Sequence, residues 1–132
     1  MTKYNTIALI VAAGSGERLG NTTPKQYLLL AGRAILRHSA EKFLNHNEID
    51  AVFVVYNPDH KALYEAAIAG IDLPEPILGG KSRQESVRLG LEAIAQYNPK
   101  KVLIHDAARP LVSTKIISDI ICLLYTSDAA DE

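Results

Sequence analysis

The chain has 132 residues, of which 48% are hydrophobic and 22% are charged, and this composition is typical of a soluble globular domain. The formal net charge of −1 argues against a nucleic-acid binder, which would carry a clear positive excess. A single cysteine cannot form an intramolecular disulfide, and the apolar run at residues 7–13 is too short to cross a membrane, so we expect a cytoplasmic protein.

The first half of the chain alternates predicted strands and helices. Residues 6–12 (TIALIVA) are apolar or β-branched throughout, which predicts a central parallel strand rather than a signal peptide. A loop with three glycines follows over residues 14–24, and apolar residues at helical spacing predict a helix over 34–44. A second buried strand is predicted over residues 49–56 and a helix over 59–69. The side chains expected to face inward from that helix are Leu63, Ala66, Ala67 and Ile68.

The middle of the second half contains the clearest predicted helix. Residues 77–78 allow only a short strand, because two prolines directly precede them. The helix is predicted over residues 82–96, with Ser82 and Glu85 at capping-box spacing at its start. Its apolar stripe is expected to consist of Val87, Leu91 and Ile94.

The C-terminal part completes the pattern. Residues 101–105 (KVLIH) form the next predicted strand, and Ser113 or Thr114 can cap a last helix that reaches about residue 124. Strand alternates with helix and no internal repeat is visible, which favours an α/β fold: a Rossmann-like three-layer sandwich with a mostly parallel sheet. Ligands of such sheets bind at the carboxyl ends of strands, so the informative residues should directly follow strands.

The loop after the first predicted strand has chemistry suited to a polyphosphate. Gly14 and Gly16 let backbone N–H groups approach an anion without an intervening Cβ, and Arg18 and Lys25 add two cations. Charge gathers on the equatorial oxygens of a phosphorus under attack, so backbone donors and two fixed cations suit that transition state. A plain solvated turn is the alternative, but the arginine and the Pro24-Lys25 pair favour the functional interpretation.

Two other phosphate-binding motifs do not fit the sequence. The dinucleotide fingerprint G-x-G-x-x-G would need its third glycine one residue before Gly20. The triplet at residues 80–82 resembles the end of a Walker A loop, but that motif requires a glycine where this chain has Glu75. Both interpretations are therefore rejected.

Several motifs taken together resemble a known enzyme family. The opening motif of the nucleoside-diphosphate-sugar pyrophosphorylase superfamily resembles Ala12-Ala13-Gly14-x-Gly16-x-Arg18-Leu19 followed by Pro24-Lys25. The 2-C-methyl-D-erythritol 4-phosphate cytidylyltransferase family resembles this chain more specifically, in Pro24-Lys25-Gln26-Tyr27, in Gly79-Gly80 with Ser86, and in His105-Asp106-Ala107-Ala108-Arg109-Pro110. The three blocks stand in the family's order and at similar spacing.

The resemblance covers about residues 6–121 and implies a truncated domain of the nucleotidyltransferase type, since family members are longer. We accordingly assign residues 1–121 to the N-terminal part of a cytidylyltransferase domain. Residues 122–132 fit the family poorly and are expected to be a non-native or frame-broken tail. The parent protein is expected to be a homodimer, either monofunctional or fused to a cyclodiphosphate synthase domain.

The resemblance implies transfer of CMP from CTP to 2-C-methyl-D-erythritol 4-phosphate, with release of pyrophosphate and with Mg²⁺ as cofactor, in non-mevalonate isoprenoid biosynthesis. In-line attack needs no covalent enzyme intermediate, so positioning and charge stabilisation carry the reaction. Arg18 and Lys25 match the family's two transition-state cations. The alternatives are a related pyrophosphorylase, such as ribitol phosphate cytidylyltransferase or a sugar nucleotidyltransferase, and a nucleotide-binding fragment without catalysis.

The family's CTP-binding positions fall on Ala12, Ala13, Gly14, Gly16, Gly80, Ser86, Asp106 and Ala107. Gly80 would let cytosine lie against the backbone, and Ser86 would offer a hydroxyl to the ring. Asp106 matches the position near the metal and the ribose phosphate, where a carboxylate can bind Mg²⁺; an Asp that caps its own loop is the alternative. Lys81 stands where the family often has an acidic residue, which leaves a backbone contact at that position.

Other polar residues near these motifs have structural interpretations. Ser82 and Arg83 either form a capped, solvated first turn of a helix or contact the ligand. Arg109 either shapes its loop or pairs with a carboxylate. His105 ends a buried strand and is expected to pack in the core. The remaining histidines are expected at the surface, and they are His38, His46 and His60.

Overall fold

The computed structural model describes residues 3–14, 23–109, 115–117 and 129–131. Within these ranges the elements, in chain order, are β1 (Thr6–Ala12), β2 (Leu29–Leu30), β3 (Arg33–Ala34), α1 (Ile35–Leu44), β4 (Ala51–Tyr56), α2 (Lys61–Ala67), β5 (Ile77–Leu78), α3 (Arg83–Ile94), β6 (Lys101–Asp106) and β7 (Ala129–Asp131). Short 3₁₀ turns lie at Lys25–Tyr27, Pro58–His60 and Ala95–Tyr97. The predicted alternation of strand and helix is confirmed.

Five of these strands form one parallel sheet in the order β5-β4-β1-β6-β7. The central strand β1 lies between β4 and β6 and has the bounds predicted for it. Every residue of β1 is buried, as expected of an apolar strand that is covered on both faces. Strands β2 and β3 form a separate short hairpin. The carboxyl ends of β1, β4 and β6 therefore lie side by side at one end of the sheet.

Helices cover both faces of the sheet and complete three layers. Successive side chains of a strand point to opposite faces, so β1 contributes to two separate cores. Ile10 belongs to the core that contains Phe43 of α1 and Tyr64 of α2. Leu9 belongs to the core that contains Ile94 of α3. The predicted Rossmann-like three-layer sandwich is thus confirmed.

Strand β4 begins at Ala51, later than predicted, because the residue before it has another role. Oδ2 of Asp50 accepts hydrogen bonds from the backbone N–H groups of Asn5 at 2.8 Å and Thr6 at 2.9 Å. The N–H of Asp50 in turn donates to the carbonyl of Thr6 at 2.9 Å. This residue joins the starts of β1 and β4 and sets the register in which Ile7 lies opposite Ala51.

The buried face of α2 differs from the prediction. Leu63 and Ala66 were expected to face inward, and that prediction is wrong, because both are exposed. Tyr64 and Ala67 are the buried residues of this helix. A 3₁₀ turn precedes α2 and delays its start, and the ring of Tyr64 packs against that of Tyr56 with 4.9 Å between centroids. The tyrosine pair therefore decides which face of the helix is buried.

The predicted apolar stripe of α3 is confirmed at Ile94, which is buried, and at Val87, which packs partly buried against the same core, but it is wrong at Leu91. Ser86, Gly90 and Ile94 are buried, whereas Leu91 is 37% exposed. Gly90 lets the helix approach the sheet closely, since a Cβ at this position would lie 2.8 Å from Cδ2 of Leu9. The inclusion of Leu91 in the stripe was wrong because the small residues Ser86 and Gly90, together with Ile94, face the sheet here.

The C-terminal residues are described only in part. Residues 115–117 of the predicted last helix are helical, and the rest of that helix lies outside the described ranges. Strand β7 lies within the predicted tail at 122–132 and pairs with β6, with Val102 opposite Ala129. The origin of the tail stays a prediction. Across the described ranges, no helix combines the length and apolar character needed to cross a membrane.

The histidines occupy three different environments. His46 is 4% exposed, so the prediction that it lies at the surface is wrong. Its Nδ1 accepts a hydrogen bond from the backbone N–H of Glu48 at 3.1 Å, which stabilises the turn that follows α1. His38 and His60 are half-buried. His105 is buried in the core, as predicted.

Candidate functional site

A small cavity lies where the carboxyl ends of β1 and β6 meet the start of α3, and its volume is about 130 Å³. Five of the predicted nucleotide-binding residues line it, namely Ala13, Gly14, Gly80, Ser86 and Asp106. Ala12 and Ala107 are sequence neighbours of these residues and are buried. The fold therefore brings together residues from three separate blocks of the sequence, as expected for a ligand site in a parallel sheet.

The glycine loop is described only at its two ends. Gly16 and Arg18 lie outside the described residues, so the position of Arg18 beside Lys25 stays a prediction. Lys25 begins the 3₁₀ turn at 25–27, and its side chain is exposed. The buried Pro24 precedes it, and the carbonyl of Pro24 accepts a hydrogen bond from the N–H of Tyr27 at 2.9 Å. These contacts fix the backbone of Lys25.

Gln26 had no predicted role, although it follows Lys25 in one of the three motifs. Its side-chain Nε2 donates hydrogen bonds to the carbonyls of Ala12 and Gly14, each at 3.0 Å. Gln26 is only 5% exposed. The sequence shows that a polar side chain, Gln26, lies next to a candidate catalytic lysine. It does not show which groups this side chain binds, because they come within reach only in the folded chain.

Ser86 and Gly80 form one wall of the cavity. Ser86 lies in the first turn of α3, is 1% exposed, and its Oγ accepts a hydrogen bond from the N–H of Gly80 at 3.0 Å. A hydroxyl can donate as well as accept, so Ser86 can also donate a hydrogen bond to a ligand. A Cβ at Gly79 would lie 2.4 Å from that of Ala13, so this close approach to β1 requires glycine.

The start of α3 also faces the cavity. Oγ of Ser82 accepts a hydrogen bond from the N–H of Glu85 at 3.0 Å, which confirms the predicted cap. Oε1 of Glu85 accepts one from the N–H of Lys81 at 2.6 Å, so only the carbonyl of Lys81 is left for a backbone contact. Ser82 and Arg83 line the cavity as well. The first N–H groups of a helix carry partial positive charge, which favours an anion at this position.

Asp106 is the last residue of β6 and lines the same cavity. Its Oδ1 accepts a hydrogen bond from the N–H of Ala108 at 3.0 Å, so the loop-capping interpretation is correct for one oxygen. The described residues provide no hydrogen-bond partner for Oδ2. In the described ranges, no group of three or more His, Cys, Asp or Glu residues could hold a metal ion. Among the described residues, Asp106 is therefore the carboxylate of this cavity that could contact a metal, and ligand phosphates could supply further oxygens.

His105 supports the loop behind Asp106. Its ring packs edge-on against Phe43 with 5.1 Å between centroids, and its Nε2 lies 2.6 Å from the carbonyl of Arg109. Burial lowers the pKa of His105 below its usual value, and the hydrogen bond to Arg109 only partly offsets this effect. The predicted core position of His105 is confirmed, and the carbonyl of Arg109 contributes to the shape of the loop.

A larger cavity of about 260 Å³ lies between the β2–β3 hairpin and α2. Apolar residues such as Tyr27 and Leu63 form much of its wall. Its two cations, Arg33 and Arg37, both form ion pairs with Glu41. None of the described residues that line it carries a carboxylate. We therefore assign the candidate site to the smaller cavity, where a carboxylate, a hydroxyl and a helix N-terminus converge.

The comparisons with known proteins agree with this assignment. A family model described as "IspD: 2-C-methyl-D-erythritol 4-phosphate cytidylyltransferase" matches residues 6–131. A protein of Paramagnetospirillum magneticum named "Bifunctional enzyme IspD/IspF" is 51% identical over 116 residues, which are 88% of this chain and 30% of that protein. The chain therefore spans about a third of the length of the curated relatives that it matches.

Solved structures show the same fold. The 4-diphosphocytidyl-2C-methyl-D-erythritol synthase of Anaerococcus prevotii has a TM-score of 0.76 at 27% identity, over 91% of this chain and 50% of that one. The 2-C-methyl-D-erythritol 4-phosphate cytidylyltransferase (IspD) of Francisella tularensis has a TM-score of 0.70 at 32% identity, over 93% of this chain and 53% of that one. This chain is thus similar to about half of each of these structures.

Proposed function

Since this chain belongs to the 2-C-methyl-D-erythritol 4-phosphate cytidylyltransferase family, we propose that it supplies the CTP-binding part of an enzyme that transfers CMP from CTP to this acceptor. The observation that carries the proposal is the cavity in which Gly14, Ser86 and Asp106 meet from three distant motifs. Nothing in the comparisons favours the ribitol phosphate alternative. The biosynthetic role proposed for the protein is the non-mevalonate formation of isoprenoid precursors.

The cytosine ring is proposed to lie against Gly80, beside the hydroxyl of Ser86. One lone pair of the Ser86 oxygen already accepts the N–H of Gly80, and the hydroxyl proton is proposed to donate to an acceptor on the ligand. The unprotonated ring nitrogen of cytosine is such an acceptor, whereas uracil has an N–H at the same position. With uracil, Oγ of Ser86 would have to accept a second N–H, and the Ser86 proton would have no partner on the base. This difference favours CTP over UTP.

The triphosphate is proposed to lie between the backbone at Gly14, the start of α3 and the ammonium of Lys25, with Arg18 as the second cation. A phosphate oxygen of the acceptor attacks the α-phosphorus of CTP in line. The bond from this phosphorus to the bridging oxygen breaks as the new bond forms, and pyrophosphate leaves with the electron pair. Fixed cations and backbone N–H groups stabilise the charge on the equatorial oxygens without reorganising during the reaction.

Mg²⁺ dependence is part of the proposal, and the residues present fit it. Oδ2 of Asp106 is an oxygen ligand of the kind that Mg²⁺ prefers, and this ion commonly binds through one or two carboxylates and substrate phosphates. When bound, the ion would neutralise part of the phosphate charge. The contribution of Asp106 would be to orient the phosphates toward Lys25, while its Oδ1 keeps the loop at Ala108 closed.

The complete protein is proposed to carry a fused cyclodiphosphate synthase domain, because the relative in P. magneticum is named as a bifunctional IspD/IspF enzyme. The homodimer implied by the family resemblance stays a prediction. A cytoplasmic location is also part of the proposal, and it is supported only by the lack of cysteine pairs typical of secreted domains in this sequence.

Equilibrium binding of CTP and of UTP to this chain, with Mg²⁺ present, tests the nucleotide part of the proposal. We expect saturable CTP binding that exceeds UTP binding. Ser86→Ala should weaken CTP binding about tenfold, the effect of one lost hydrogen bond in a buried site. Ser82→Ala is the matched control for base preference: Ser82 caps α3 at the end proposed for the triphosphate, so its loss should affect CTP and UTP equally and leave their ratio unchanged. Equal affinity for the two nucleotides would contradict the base assignment.

Release of pyrophosphate by the full-length protein tests the transfer itself. We expect turnover with CTP and methylerythritol phosphate, and little turnover when ribitol phosphate replaces it. Faster turnover with ribitol phosphate would overturn the proposed acceptor.

A further inference from the structure

The side chain of Gln26 connects the two ends of the glycine loop. The amide nitrogen carries two protons, and it donates to two carbonyls, those of Ala12 and Gly14. Both acceptors lie at the end of β1, whereas Gln26 follows the loop on its other side. The amide is therefore a cross-link that closes the base of the loop between residues 14 and 26.

This cross-link also fixes the backbone that carries Lys25. The 3₁₀ turn is closed by hydrogen bonds from Tyr27 N–H to the Pro24 carbonyl at 2.9 Å and from Leu28 N–H to the Lys25 carbonyl at 3.1 Å. Gln26 lies inside this turn, so anchoring its side chain to β1 anchors the whole turn. The position of the Lys25 Cα relative to the carbonyl of Gly14 is thereby set by a short chain of buried contacts.

The chemistry of the two carbonyls explains why an amide is needed. Both groups are acceptors, so the side chain between them must donate twice and should be uncharged. Glutamate offers only acceptors when it is ionised, and methionine fills a similar volume without a donor. Neither can close the loop in the same way.

We propose that Gln26 is a positioning residue, which acts through Lys25 by holding its ammonium at the α-phosphate of CTP. This inference rests on the proposed function, because it presupposes that Lys25 acts on the nucleotide. A displacement of about 1 Å can lower a rate about 100-fold when a reaction depends on alignment. Loss of the cross-link should therefore lower kcat more than it raises KM.

A double-mutant cycle in the full-length protein separates positioning from a structural role. Steady-state kinetics with CTP and methylerythritol phosphate would be measured for Gln26→Met, Lys25→Ala and the double variant. We expect Gln26→Met to lower kcat about 10-fold to 100-fold on the alignment argument, and the double variant to be no slower than Lys25→Ala alone. Independent, multiplicative losses would overturn the proposal, since Gln26 would then not act through Lys25.

A matched control and a second variant make the test decisive. Gln96→Met removes an amide that also donates to a carbonyl, that of Ala93 at 3.1 Å, but Gln96 is exposed and lies in the 3₁₀ turn after α3, so we expect unchanged kcat. Gln26→Glu should reproduce the loss seen with Gln26→Met. If neither Gln26 variant folds, as judged by circular dichroism, the residue is structural and the proposal is overturned.

The same kinetics distinguish a failure of the proposed catalytic role of Lys25 from a failure of the positioning role of Gln26. Unchanged kcat in Lys25→Ala would overturn the catalytic role of Lys25 and, with it, the positioning role. A large loss in Lys25→Ala together with wild-type kcat in Gln26→Met would overturn the positioning role alone.

Discussion

Lys25 is the described cation whose placement the proposed reaction most depends on. Its backbone is held by the buried Pro24 and by the anchored Gln26, while its side chain is exposed for a ligand. Lys25→Ala should lower kcat about 100-fold with a smaller change in KM, because the charge it stabilises develops in the transition state. Steady-state pyrophosphate release by the full-length protein measures both constants.

Lys61→Ala is the control for this prediction, because Lys61 is also an exposed lysine, at the start of α2, and lies outside the Pro24-Lys25-Gln26-Tyr27 motif. It should keep wild-type kinetics. A rise in KM at constant kcat in Lys25→Ala would show that this lysine contributes only ground-state binding.

The raised pKa of Tyr64 predicts that the folded state loses stability in alkaline solution. Burial, with a smaller contribution from Tyr56, raises the pKa of Tyr64 to about 12 from a usual value of 10.0. Between these values the unfolded tyrosine is ionised while the native one keeps its proton, so the native state binds more protons and its stability falls as pH rises. The loss should reach about 2–3 kcal/mol by pH 12, at about 1.4 kcal/mol for each pH unit.

Urea unfolding of the wild type and of Tyr64→Phe across pH 9–12 tests this effect. The variant should lose less stability than the wild type over the interval, because a phenylalanine does not titrate. Tyr97→Phe, at a half-buried position on the other face of the sheet, is the matched control and should follow the wild type. Parallel curves for Tyr64→Phe and the wild type would disprove the assignment.

For single residues, the sequence predicts which chemical groups are present and which local hydrogen bonds they form. It does not predict hydrogen bonds between residues that are distant along the chain. The spacing of Ser82 and Glu85 correctly predicts a helix cap, because both partners lie within one turn. The bonds from Gln26 to Ala12 and Gly14 cannot be predicted in this way, because they form only when a distant turn meets the end of β1. The burial of His46 was also missed, because the packing around a residue after a helix end cannot be read from its spacing along the chain.

Helix α3 shows how a correct element can be predicted with one inward-facing residue, Leu91, misassigned. The expected stripe at Val87, Leu91 and Ile94 has the right period, but the structure buries Ser86, Gly90 and Ile94. A search for large apolar residues gives no weight to a serine or a glycine, although these let the helix approach the sheet. The fit of α3 against β1 therefore depends on small residues that hydrophobic periodicity does not detect.

The burial of Ile94 and the partial exposure of Leu91 on α3 predict different losses of stability when each is replaced by alanine. Ile94→Ala should destabilise the protein by about 2–5 kcal/mol, because it removes a fully buried side chain from the core. Leu91→Ala is the matched control, and it should have a much smaller effect because Leu91 is partly exposed. Denaturant unfolding of the two variants measures the difference. Equal losses would restore the predicted stripe and contradict the observed face.

At the scale of the whole molecule, the sequence predicts the class of the fold but not the order of its strands. Alternating strands and helices and a fully apolar first strand were sufficient to predict a parallel sheet with β1 inside it. The placement of β6 directly beside β1 brings Asp106 next to Val11, across ninety-five positions of the chain. Such pairings between distant residues leave no local pattern, so the cavity itself had to be inferred from motifs.

The proposed function depends most directly on CTP binding where β1, β6 and α3 meet. A titration of the isotopically labelled chain with CTP and Mg²⁺, followed by amide NMR shifts, locates that site without requiring turnover. We predict saturable shifts centred on Gly14, Gly80, Ser86 and Ala107. Shifts centred instead on the larger cavity beside Tyr27 and Leu63, or no saturable shift at all, would contradict the proposed function.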